Sequence, residues 1–173
     1  MKKVLFRGQS TTNNHWLYGS LISNYTENQF FIEGEHHHAT PVIPETVNQW
    51  IGLNENSTEA KEIFEGDFLI LERNLIDKND GFWDSNAGNL MEKYKLDEMI
   101  IHILVSDSME VKYNGYFKRN NEFFTEREYY EEDNDKIFSF RGDGLPFLKY
   151  ILKKGTRVIG NTIDNPELIP GLQ

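Results

Sequence analysis

Residues 2–32, KKVLFRGQSTTNNHWLYGSLISNYTENQFFI, decide the fold class. Three runs rich in aromatic and branched apolar residues, Lys2–Arg7, His15–Ile22 and Gln29–Ile32, are separated by short polar stretches of the kind that connect hairpins. Within the second run Trp16 and Tyr18 alternate, the period of two that places both on one face of a strand. The stretch reads as an antiparallel meander.

Outward from it, the same bias continues. Phe68–Leu71 (FLIL) reads as a strand covered on both faces. Leu96–Val105 (LDEMIIHILV) has helical spacing at 96, 99, 100, 103 and 104, yet its second half is equally a buried strand, and periodicity leaves both open. Asn114–Gly115, between Met109–Tyr113 and Tyr116–Arg119, is the strongest short hairpin signal. Pro146–Lys154 (PFLKYILKK) reads as a helix, with Pro at its start and Gly155 as its C-cap, and Arg157–Ile163 as a closing strand. Pro44–Val47 suits a short helical turn, and residues 72–95 look irregular. No βαβ alternation is present. The expected class is mainly β (α+β), a small twisted barrel with an insertion rather than a layered parallel sheet.

Composition narrows the function classes. The chain has 173 residues, 28 acids against 18 bases, and a formal charge of −10, which argues against generic binding to nucleic acid phosphates. An aromatic content of 13% excludes a disordered chain. There is no cysteine, so disulfides, thiolate nucleophiles and Cys-based metal sites are impossible. Met1–Gly8 reads as a strand rather than a signal peptide, and no apolar run approaches the roughly 20 residues of a membrane span, so a cytoplasmic location is expected. Acids crowd residues 122–135, where Glu122, Glu126, Glu128, Glu131, Glu132, Asp133 and Asp135 face a single Arg127. Such a run is a solvated face that aids solubility, or a surface that captures a basic partner.

Three segments together resemble the YopX family, small proteins found mostly in bacteriophages and prophages. Phe6–Arg7–Gly8 with Trp16-x-Tyr18–Gly19–Ser20 is similar to that family's opening FRG…W.YGS. The run from Pro44 to Leu53, followed by Glu62–Ile63–Phe64–Glu65–Gly66–Asp67, is similar to its ETVGQYTGL…IYEGD. Residues 158–168, VIGNTIDNPEL, are similar to its C-terminal VIGNI..NPEL. Asn48 stands where the pattern has Gly, Ile51 replaces a Thr, and residues 72–155 match poorly. The resemblance implies an SH3-like small barrel formed by residues 1–71 plus 156–173, with 72–155 as an α/β insertion or second subdomain. It implies no activity. In physical terms Gly66–Asp67 is a turn into an apolar strand, and Gly160 within a strand marks a bulge.

Catalytic constellations are scarce. His36 and His38 of the His36–His37–His38 run share one side of an extended segment, the alternative being a metal-dependent enzyme using that pair. No spacing designates a third ligand, and a polar surface loop accounts for three histidines without a metal. Ser106 and Ser108 have no partnering base motif, and Arg141–Gly142–Asp143–Gly144 lacks the strand, helix and lysine of a phosphate loop. Lys149, Lys153, Lys154 and Arg157 form a local basic patch, which keeps weak nucleic-acid binding as a further alternative. Trp16, Tyr18, Trp50 and Trp83 suit an aromatic binding patch as well as a barrel core, and the first three are the binding candidates. The expectation is a phage or prophage accessory protein without catalytic residues, metal or cofactor. It would bind a phage or host protein of basic surface and associate with itself as a homo-oligomer.

Overall fold

The computed structural model describes residues 5–24, 26–35, 37–56, 60–130, 137–143 and 145–169. Strand outweighs helix, and the strands form two six-stranded antiparallel sheets. The chain divides into two compact units, Met1–Leu53 with Glu62–Glu65, and Asn54–Lys61 with Gly66–Gln173.

The first unit contains β1 (Phe6–Gln9), β2 (Trp16–Asn24), β3 (Gln29–Glu33), β4 (Ala39–Val42), β5 (Asn48–Asn54) and β6 (Glu62–Phe64). Their order is β4-β3-β2-β1-β5-β6, so the meander expected from residues 2–32 is its centre. Arg7 stands opposite Tyr18, Ser20 opposite Glu33 and Ile22 opposite Phe31. Because partners across an antiparallel ladder share a face, the register sorts the side chains into two sets. Gly8, Leu17, Gly19, Leu21, Ile32 and Val42 lie on one face, where Ile32 and Val42 are buried. Arg7, Trp16, Tyr18, Ile22, Phe31 and Pro41 lie on the other. Beyond the meander, Ser10 forms an isolated bridge with Val42, and Ile43 N–H donates to Gln9 O at 2.9 Å. That returns β4 to the end of β1 at one point, and neither sheet closes on itself.

In the second unit lie β7 (Asp67–Glu72), β8 (Glu98–Val105), β9 (Val111–Arg119), β10 (Glu122–Phe123), β11 (Ser139–Asp143) and β12 (Arg157–Asn161). The order is β10-β9-β8-β7-β12, with β11 also on β9. One sheet therefore joins β7 and β12 with strands β8–β11 from between them in the chain. The undecided 96–105 segment is a strand. Residues 99–103 are all buried, so neither face carries the polar alternation that would have revealed it.

Asn114–Gly115 is not a turn but the middle of β9. Gly115 is opposite Phe140, whose ring occupies the space a Cβ would take, 2.1 Å from its ideal position. Tyr113 covers Gly142 in the same way two pairs along. The real turns are residues 106–110, with Met109 at φ 63°, and Asn120–Asn121, both at positive φ as a two-residue hairpin of the I′ type demands.

Among the described residues this unit also has three α-helices: α1 (Asn86–Lys93), α2 (Glu126–Tyr130) and α3 (Leu145–Leu152). α3 follows the reading of Pro146–Lys154, burying Leu148, Ile151 and Leu152. Helix α1 was not legible, because Asn86, Gly88 and Asn89 are poor helix formers. It exists because Ser85 Oγ caps Gly88 N–H at 3.1 Å and Ala87, Gly88 and Met91 are buried. The bulge expected at Gly160 is present as a register shift between Val158 and Gly160. Of the acidic run, residues 131–136 lie outside the described residues.

Candidate binding face

The resemblance-bearing residues of the first unit converge on one buried cation. Arg7 is 6% exposed, and its guanidinium carbon lies 4.8 Å from the ring centres of both Trp16 and Phe64. Its Nε–H donates to Asn48 Oδ1 at 3.4 Å and Nη2 to the Glu65 carbonyl at 3.3 Å. Tyr18 packs on Phe64 with centroids 5.6 Å apart. A planar guanidinium in contact with two rings is weakly hydrated and keeps its donors in a fixed fork, a geometry an ammonium cannot copy. Thr46 supports the same strand, accepting from Gln9 N–H at 2.8 Å and donating to Ile43 O at 2.7 Å.

Of the three candidate residues, the register brings Trp16, Tyr18 and Trp50 to one face. Asn48 is opposite Arg7, and Trp50 follows two residues later on β5. Trp16 and Trp50 are half-buried, and Trp50 Nε1–H is held by Leu53 O at 2.9 Å. Tyr18 is the exposed member, at 49%. Trp83 belongs to the second unit, where Arg73 lies over its ring at 5.6 Å. His36 lies outside the described residues; His38 is exposed and lines a cavity of about 200 Å³ with Tyr18, Ile32, Gly34 and Glu35. Among the described residues no three His, Asp or Glu side chains are placed to hold a metal.

No protein-family model, curated protein or solved structure matches this chain. The charge distribution on the sheet therefore carries the functional argument. Among the described residues of the first unit, the formal charges are the buried Arg7 and six glutamates, Glu27, Glu33, Glu35, Glu45, Glu62 and Glu65, none of them buried. Exposed Tyr18 and Ile22, the latter at 44%, sit on the face that carries Glu33 and, opposite Tyr18, the buried Arg7. Sequence reasoning missed Ile22, Phe31, Pro41 and Glu33 as members of that face. Each is unremarkable in its own segment, and only the β2–β3–β4 register assembles them.

The basic patch is not a free array. In the second unit Lys154 Nζ is paired with Asp80, and Arg157 reaches Glu72 at 3.4 Å. The Lys154 bond, aided by Phe82 N–H, holds Asp80 below the usual carboxylate range. Two buried polar groups were also not foreseen. Glu55 accepts a hydrogen bond from Val158 N–H on the β12 edge, where an open backbone donor would invite another strand. His102, 9% exposed on β8, packs at a tilt against Phe68 with centroids 4.9 Å apart.

Burial holds the His102 imidazole below its ordinary value. The unfolded chain therefore takes up the proton first, and stability conferred above about pH 6.5 is lost as the pH falls below it. Unfolding free energies from urea titrations should decline from pH 7.5 to pH 5, by up to about 1.4 kcal/mol per pH unit for one proton. The decline should flatten in His102→Gln. A profile that His102→Gln leaves unchanged would show the titrating group lies elsewhere.

Proposed function

We propose that this chain is a YopX-like phage or prophage accessory protein that works by binding, holding a basic protein in the host cytoplasm rather than turning over a substrate. The observation that carries the reading is the first unit's exposed charge. Among its described residues that charge is wholly acidic, around an exposed Tyr18 and Ile22. Like-signed surfaces of this kind speed encounter with an oppositely charged protein and exclude like-charged ones. The polar residues of the resembling motifs support the same reading, since they are spent on structure. Arg7 and Asn48 pack the sheet, and Asn161 Oδ1 accepts from Ile163 and Asp164 N–H, both at 2.9 Å.

An SH3-like barrel for the first unit belongs to this proposal, with the Ser10–Val42 bridge as the point where β4 returns to β1. Self-association belongs to it too, since open sheets leave edges that a second copy can pair. No helix among the described residues is long and apolar enough to cross a membrane.

The test is affinity capture by the immobilised full chain from a nuclease-treated bacterial lysate at about 0.1 M and about 1 M salt, where the screening length falls from about 10 Å to 3 Å. One basic protein, held in stoichiometric amount and released at high salt, is expected. Recovery of no partner, or of one indifferent to salt, contradicts the reading.

A further inference from the structure

Resting on the basic-partner reading, we infer that the exposed face of β2, β3 and β4 takes an extended segment of that partner with the pattern apolar–x–cation–x–apolar. Three cross-strand rows make up the face. Ile22, Phe31 and Pro41 form an apolar row, and Ser20, Glu33 and Ala39 form the next, with a carboxylate at its centre. Tyr18 stands in the third, beside Arg7. Along β2 these rows follow at two-residue steps, so they lie about 7 Å apart and Tyr18 about 14 Å from Ile22.

A segment extended along β2 presents every second side chain to the face at the same step. Its residues i and i+4 meet Tyr18 at one end and the Ile22 row at the other, and i+2 meets Glu33. Phe31 and Pro41 of the Ile22 row also line a cleft of about 420 Å³, together with Thr11, Asn28, Gln29 and Pro44 among others.

The residue at i+2 is a lysine or arginine because of what surrounds Glu33. Its carboxylate has the His37 imidazole 3.8 Å away, and both side chains are open to water, at 34% and 87%. An apolar residue docked there would strip water from the carboxylate without replacing its hydrogen bonds, whereas a cation supplies them. A second copy of this face is a poor occupant, because Glu27, Glu33 and Glu35 would meet their own kind.

The experiment is a two-dimensional NMR titration of the labelled full chain with the capped pentapeptide Leu-Thr-Lys-Thr-Phe and its Leu-Thr-Glu-Thr-Phe counterpart. With the lysine peptide, shifts should concentrate at Tyr18, Ile22, Phe31 and Glu33, and the glutamate peptide should bind at least tenfold more weakly. Ile22→Ser should weaken the lysine peptide at least tenfold with spectral dispersion retained, since Ile22 is exposed. Glu33→Gln should erase the preference between the peptides. Shifts centred elsewhere, equal binding of both peptides, or no shift at millimolar peptide overturn the inference. A basic protein captured from lysate alongside any of those results leaves the partner reading standing and removes only this surface. Specific peptide binding with no captured protein does the reverse.

Discussion

Gly19→Ala is expected to abolish the native first sheet at ordinary temperature. An ideal Cβ at this position lies 2.0 Å from the Glu33 carbonyl oxygen and 2.6 Å from its carbon, with Gly34 N at 3.1 Å. These are backbone atoms of β3 and its exit, tied by the Ser20–Glu33 pair, so neither can retreat without opening the β2–β3 ladder. Overpacking against a movable side chain costs about 1–3 kcal/mol, and a backbone contact this short belongs at or beyond the top of that range. The readout is urea unfolding followed through tryptophan fluorescence, together with the dispersion of Tyr18 and Ile22 amides. A Gly19→Ala protein with an unchanged midpoint would show that β3 does not pass over this residue. Gly8, whose Cβ would meet the Val42 side chain at 3.2 Å, provides the graded comparison and should tolerate alanine far better.

Arg7→Met should cost about 2–4 kcal/mol, the range for removing one member of a buried, hydrogen-bonded charged cluster. It leaves Asn48 Oδ1 and the Glu65 carbonyl without the donor, and the Trp16 and Phe64 rings without the guanidinium in contact with them. Arg7→Lys separates shape from charge. Lysine keeps the charge but cannot contact two rings while donating from a fixed fork, so it should recover less than half of the loss. Both effects are read as shifts of the urea midpoint. Wild-type stability in Arg7→Lys would mean that charge alone, rather than the two-ring contact, holds the site.

The sequence is informative where structure is local, and silent where it depends on register. The alternation of Trp16 and Tyr18 and the cap at Gly155 made β2 and α3 legible, because each signal lies within its own segment. β8 was undecided because residues 99–103 are buried on both faces, which removes the period that distinguishes strand from helix. Asn114–Gly115 misled because glycine serves two purposes, and here it makes room for Phe140 rather than for a positive φ. Tertiary burial overrode weak propensity in α1. Within the candidate face, Trp16, Tyr18 and Trp50 are legible in the sequence as aromatic binding candidates. Their common face and the Arg7 clamp needed the β1–β2 and β1–β5 registers. Glu33 and Ile22 needed the β2–β3 register as well.

Docking of a basic protein on the face that carries Ile22 is tested by placing a photo-crosslinking amino acid at position 22 in the full chain, with a second variant carrying it at Leu75, which is equally exposed at 45% but belongs to the second unit. Irradiated in a bacterial lysate at low salt, position 22 should yield one dominant adduct with a protein of high pI, lost at about 1 M salt, and position 75 should not. The same adduct from both positions, or one from position 75 alone, would contradict the account.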